Sequence, residues 1–133
     1  MSSASAVPAA LSDPDGALQA KMASRDQVAS RTKVDLPGDR LLEQGIEWSK
    51  QNLADSVQAA DDLKVRFTDE GKQYPPPAGT VPHVRFFGAG FPDYPWLFAT
   101  DGEFTSFAAV AAGQFETVAD HLRALRDVSV IVN

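Results

Sequence analysis

The sequence predicts a mostly α-helical domain behind a disordered N-terminal tail, and three observations carry that expectation. Phe104, Phe107, Ala111, Phe115, Val118, Leu122 and Leu125 step by three and four, the spacing of one wide apolar helix face. Leu42, Ile46, Leu53 and Val57 repeat the pattern upstream, with Ser49 filling the gap. Before residue 16 the chain is rich in Ser, Ala and Pro and too poor in large apolar groups to offset the entropy lost on ordering.

Taken in order, residues 1–15 read as the tail and 16–133 as the folded domain. Residues 16–34 suit a frayed helix, because Leu18, Met22 and Val28 are its only large apolar groups before the end. Asp39 follows the Leu36-Pro37-Gly38 breaker and can cap a helix over about 39–61, whose opposite face, with Glu43, Glu47, Lys50 and Asp55, should be wet. Leu63, Val65 and Phe67 alternate with Lys64 and Arg66, which suits a short half-buried strand. Gly71, Pro75-Pro76-Pro77 and Gly79 interrupt regular structure. From Val81 to Phe98 aromatic residues are interleaved with Gly88, Gly90, Pro92 and Pro95 without a period, so an irregular loop is expected. One long helix follows. Thr100-Asp101-Gly102-Glu103 matches a capping box at its start, and Arg123 and Arg126 suit the negative end of its dipole. Val128, Val130, Ile131 and Val132 then run into Asn133 with no partner in view, and no internal repeat is visible.

Charge and composition narrow the function classes. Eighteen acids against 12 bases give a formal charge of −6, which disfavours binding to nucleic acid or to an anionic membrane and leaves a neutral substrate open. No apolar run approaches the roughly 20 residues of a membrane helix, and no secretory leader follows Met1. Zero cysteines exclude disulfides, thiolate metal sites and thiol nucleophiles, and fit a reducing cytoplasm.

Site-like residues concentrate where the aromatic stretch enters the last helix. Trp96 and Tyr94 can stack on the C–H faces of a sugar, and Asp101 can accept two hydroxyl hydrogen bonds. The plainer alternative is that Phe86, Phe91 and Trp96 pin the loop to the core and that Asp101 is a first-turn carboxylate. Asp101 and Glu103 do not make an acid/base pair, because side chains two apart on a helix do not face each other. The dipole and free amides favour the ionised form of Asp101, which suits it to gripping a hydroxyl rather than donating a proton. His83 and His121 lack ligand spacing, so surface or packing roles are expected and no metal. Gly88-Ala89-Gly90 lacks the third glycine of a dinucleotide loop, and no cofactor is implied. Ser106 and Ser129 have no base nearby in sequence, and Trp48 reads as a packing residue.

Four separated segments occur in a recognisable order: Arg31-Thr32-Lys33-Val34-Asp35-Leu36-Pro37-Gly38-Asp39, Glu47-Trp48-Ser49-Lys50-Gln51-Asn52-Leu53, Pro92-Asp93-Tyr94-Pro95-Trp96-Leu97-Phe98-Ala99-Thr100-Asp101-Gly102-Glu103, and Gly113-Gln114-Phe115. From about Arg31 to Asn133 the chain resembles bacterial glycogen-debranching-type proteins of the six-hairpin glycosidase superfamily. The resemblance implies a partial (α/α)6 toroid, made of its first helices and a long aromatic loop. It also implies that Trp96 and Asp101 line a sugar pocket and that the substrate is an α-glucan or oligosaccharide. Ala99 departs from the family's frequent Gly, and Val130 from its frequent acid. The family chain continues past this length and carries its acid and base there, so an N-terminal fragment, inactive alone, is expected. Two other readings are a non-catalytic helical module for carbohydrate or protein, and a remnant that self-associates through the apolar face from Phe104 to Leu125.

Overall fold

The structure is a computed structural model and describes residues 11–67, 75–90 and 93–133. Helix α1 spans Pro14–Ser30. Asp13 caps it by accepting the Gly16 amide at 2.9 Å, and Pro14 sits in the first turn, where no amide bond is lost. The expected tail is therefore too long at its inner end: Asp13 to Asp15 are cap and first turn, while 1–10 lie outside the described residues. Helix α2 spans Arg40–Asp55, and Asp39 caps it through the Leu42 amide at 3.0 Å, as the sequence implied.

Helix α2 stops six positions short of its expected end. Val57 instead opens strand β1, Val57–Val65, which pairs antiparallel with β2, Gly79–Gly90; β2 in turn pairs antiparallel with β3, Tyr94–Leu97. The stretch expected to be an irregular loop is thus most of a three-stranded sheet, in the order β1-β2-β3. Its inward positions change parity at one place. In β1 Gln58 and Ala60 turn inward, then Leu63 and Val65; in β2 Val81 is inward, then Val84 and Phe86. The switch falls at Asp62, which adopts φ 53°, opposite Pro82, which has no amide to give the ladder. That reversal hides the alternation along either strand. Phe67 follows the strand and is exposed.

The single long helix expected at the C-terminus is two helices, α3 over Ala99–Ala111 and α4 over Phe115–Val132. Gly113 takes φ 72°. Its amide donates to the Val110 carbonyl (3.0 Å) and the Gln114 amide to the Ala109 carbonyl (2.8 Å), the two bonds of a Schellman ending. The capping box does not form, because Phe98 is the N-cap and Thr100 is already helical. Arg123 and Arg126 lie inside α4 rather than in its last turn, paired with Asp120 and Asp127.

Helix α4 lies across the sheet. Val65, Val81, Val84, Phe86 and Ala124 form the buried core, and Leu63, Leu97, Val128 and Ile131 pack against it. Two of the C-terminal apolar residues expected to lack partners therefore have them, whereas Val130 is exposed. Gly79 allows this contact: a Cβ there would stand 2.7 Å from Ile131 Cγ2. Helices α1 and α2 pair through Asp55, which holds Lys21 and Arg25, and through Gln51 Nε2, which donates to the Arg25 carbonyl at 2.9 Å. Lys50, expected on the wet face, is buried and donates to the Ala29, Arg31 and Thr32 carbonyls at the end of α1 as well as to Glu47. Trp48, expected to pack, is 64% exposed. The described chain is mostly helical with a small sheet, and no described helix is long and apolar enough to cross a membrane.

Candidate functional site

Of the sequence-predicted residues, Tyr94 and Trp96 lie on strand β3 and Asp101 in the first turn of α3, the helix that follows it. Positions 94, 96 and 98 share one side of an extended segment. Tyr94 meets Trp96 edge to face, with ring centres 5.3 Å apart at 84°, and Trp96 meets Phe98 at 6.5 Å and 78°. All three rings are about half exposed, so Trp96 does not act as the core pin that the plainer reading required. Phe86, by contrast, is in the core, and Phe91 lies outside the described residues. Edge-to-face contact fixes the rings relative to each other while leaving the Trp96 indole accessible.

Asp101 sits in the first turn of α3 and is exposed. The N-cap, Phe98, offers no side-chain acceptor, and the first intrahelical bond runs from the Gly102 amide to the Phe98 carbonyl at 3.2 Å. The amides of Ala99, Thr100 and Asp101 therefore precede the helix ladder, at its positive end. Among the described residues the Asp101 carboxylate makes no hydrogen bond or ion pair; its carbonyl accepts from Thr105 Oγ1 at 2.7 Å. A ring edge, unclaimed amides and an unclaimed carboxylate within eight residues can together hold a polyhydroxylated ligand.

Beneath this edge lies a group whose role the sequence did not disclose. His121, on α4, is fully buried. The Phe87 amide donates to its Nδ1 at 3.4 Å, so Nε2 carries the hydrogen of the neutral ring, and that N–H has no partner among the described residues. A buried donor left unpaired costs about 1–3 kcal/mol. Burial lowers the His121 pKa below its ordinary value, and the Glu103 carboxylate opposes this to a lesser degree. Glu103, expected to close a capping box, thus acts electrostatically on the imidazole. The ring packs on Phe87, with centres 5.8 Å apart, and against Gly102, where a Cβ would fall 2.0 Å from His121 Cε1. A signal for this did exist: a glycine inside a helix is unfavourable by about 1 kcal/mol, and one reason to tolerate it is close approach of another group.

The other candidates play smaller parts. His83 is exposed and pairs with Asp61 at 2.7 Å. Ser106 Oγ donates to the Gly102 carbonyl (2.7 Å) and Ser129 Oγ accepts from Asn133, and among the described residues neither hydroxyl is bonded to a base. The described residues hold no cluster of metal-ligating side chains. A groove of 420 Å³ between Val34, Ile46, Leu53 and Ala108 is apolar, and the one cation beside it, Lys50, already serves α1. Comparison with known protein families, curated proteins and solved structures gave no match.

Proposed function

We propose that the β3–α3 edge is one wall of a carbohydrate site, and that the chain is the N-terminal part of a debranching-type glycoside hydrolase acting on α-glucosidic bonds, with α-1,6 branch points as one candidate linkage. In this reading Trp96, steadied by Tyr94, stacks on a glucosyl ring and Asp101 grips its hydroxyls. The observation that carries it is the unclaimed Asp101 carboxylate at an open helix N-terminus, a few residues along the chain from the exposed Tyr94–Trp96 pair. Helix α2 would be the first helix of an (α/α)6 toroid and the helix beginning at Ala99 the next, as the resemblance in four segments implies. This chain supplies recognition and no acid/base pair: Asp101 and Glu103 are two positions apart, and Glu103 acts on His121. Proton transfer falls to carboxylates contributed from elsewhere.

The test is a maltooligosaccharide titration followed by tryptophan emission in a Trp48→Phe background, so that Trp96 is the only indole reporting. Saturable quenching is expected, and Asp101→Asn should weaken binding by about tenfold, the loss of one charge-assisted hydrogen bond. No change in emission would remove the reading. A second reading, a non-catalytic interaction module, is favoured by one specific feature. Phe104, Phe107, Phe115 and Leu122 are all more than half exposed. A chain that binds no oligosaccharide yet forms defined oligomers would support it.

A further inference from the structure

The imidazole of His121 is buried, partnered through one nitrogen only among the described residues, and in contact with one element of the sugar edge and with the strand that pairs with the other. Its ring touches Phe87 of β2, the strand that pairs with β3, and Gly102 of α3, the residue next to Asp101. Resting on the carbohydrate reading above, we propose that His121 is a positioning residue: its neutral ring, wedged between Phe87 and Gly102, holds the first turn of α3 and hence Asp101 in place beside Trp96, and its protonation releases that turn.

The chemistry follows from the two nitrogens. In the neutral ring Nδ1 accepts the Phe87 amide. Adding a proton to Nδ1 sets two donors against each other, so this bond is lost and a charge appears where no water reaches. The ring cannot shift toward α3 without displacing Gly102, because the space a Cβ would need there is already taken by Cε1 and Nε2. Of the charged groups on the elements around it, Glu103 of α3 is the one that favours the cation. On β2 Arg85 is bound to Asp120, and on α4 Asp120 also holds Arg123, so that cluster keeps one excess positive charge and does not favour the cation. A protonated His121 is therefore drawn toward Glu103 and moves the turn carrying both Glu103 and Asp101. The lowered pKa places this event on the acid side of ordinary histidine titration.

The experiment combines NMR with the oligosaccharide titration, both in the Trp48→Phe background. The amide shifts of Asp101 and Gly102 should follow the titration of the His121 ring carbons with one common midpoint. Affinity should fall about tenfold or more between roughly pH 7.5 and pH 5. His121→Leu, which lacks an acceptor, should bind weakly at both pH values. His121→Gln, which offers an acceptor and does not titrate, should recover most of that loss and hold its affinity constant across the range. A merely structural role would not give this flat profile. The proposal is overturned if the Asp101 and Gly102 amides ignore the His121 titration, or if His121→Gln loses affinity with acid as the unsubstituted chain does. A protein that binds no oligosaccharide at any pH removes the carbohydrate reading instead, and the amide shifts still decide whether His121 governs the turn.

Discussion

Gly102 and His121 occupy a volume that neither could share with a larger neighbour. Gly102→Ala places a methyl group 2.0 Å from Cε1, an overlap that must displace the ring or the helix. The expected loss is about 1–3 kcal/mol, measurable by urea unfolding. Gly102→Ala combined with His121→Ala should be less destabilising than the two single changes summed, because the second change vacates the space the first one fills. An additive result would mean that the two residues do not meet. Stability should depend on pH with a fixed sign. The folded His121 pKa lies below its unfolded value, so the unfolded chain binds the proton more readily; stability is present above about pH 6.5 and declines as pH falls below it. Thermal melts of His121→Gln should lack that part of the decline. Lys50 is a second decisive residue, since its ammonium gathers three carbonyls around Thr32, which itself adopts φ 43°. Lys50→Met should cost about 1.5–3 kcal/mol and lower the melting temperature by roughly 5 °C or more.

At the scale of elements, the sequence disclosed what short-range chemistry decides and concealed what pairing decides. The Asp39 cap and the helical spacing of α2 were legible because both lie within a few residues of each other. Strand β2 was not, because its partner is remote and its pattern shifts phase opposite Asp62. Residues 57–61 continued a helical spacing from Leu53 and Val57, yet the ladder to Phe87, Phe86 and Arg85 prevailed over it. The apolar steps from Phe104 to Leu125 matched one helix because the Schellman turn at Gly113 keeps the spacing nearly in step while redirecting the chain. The clue was the glycine itself. Gly113→Ala should destabilise by about 1 kcal/mol or more, through its positive φ and the 2.9 Å approach of Thr32 Oγ1. Of the candidate site, Tyr94, Trp96 and Asp101 were legible as types suited to sugars, but the Tyr94–Trp96 edge-to-face pair and the His121 ring against Gly102 emerged only with the structure.

For the whole molecule, the distribution of apolar surface is the dominant feature. A core lies between α4 and the sheet, whereas Phe104, Phe107, Phe115 and Leu122 on the α3–α4 pair are all more than half exposed. Surface of that kind drives association. On size-exclusion chromatography the protein is expected to elute larger than 14.3 kDa, and charged replacements at Phe104 and Phe107 should return it to a monomer. The proposed sugar edge would then be a wall that other helices complete. The carbohydrate claim is tested most directly by amide hydrogen exchange with and without a maltooligosaccharide. Slowed exchange confined to Tyr94–Glu103 is the result expected, and protection elsewhere or nowhere would contradict it.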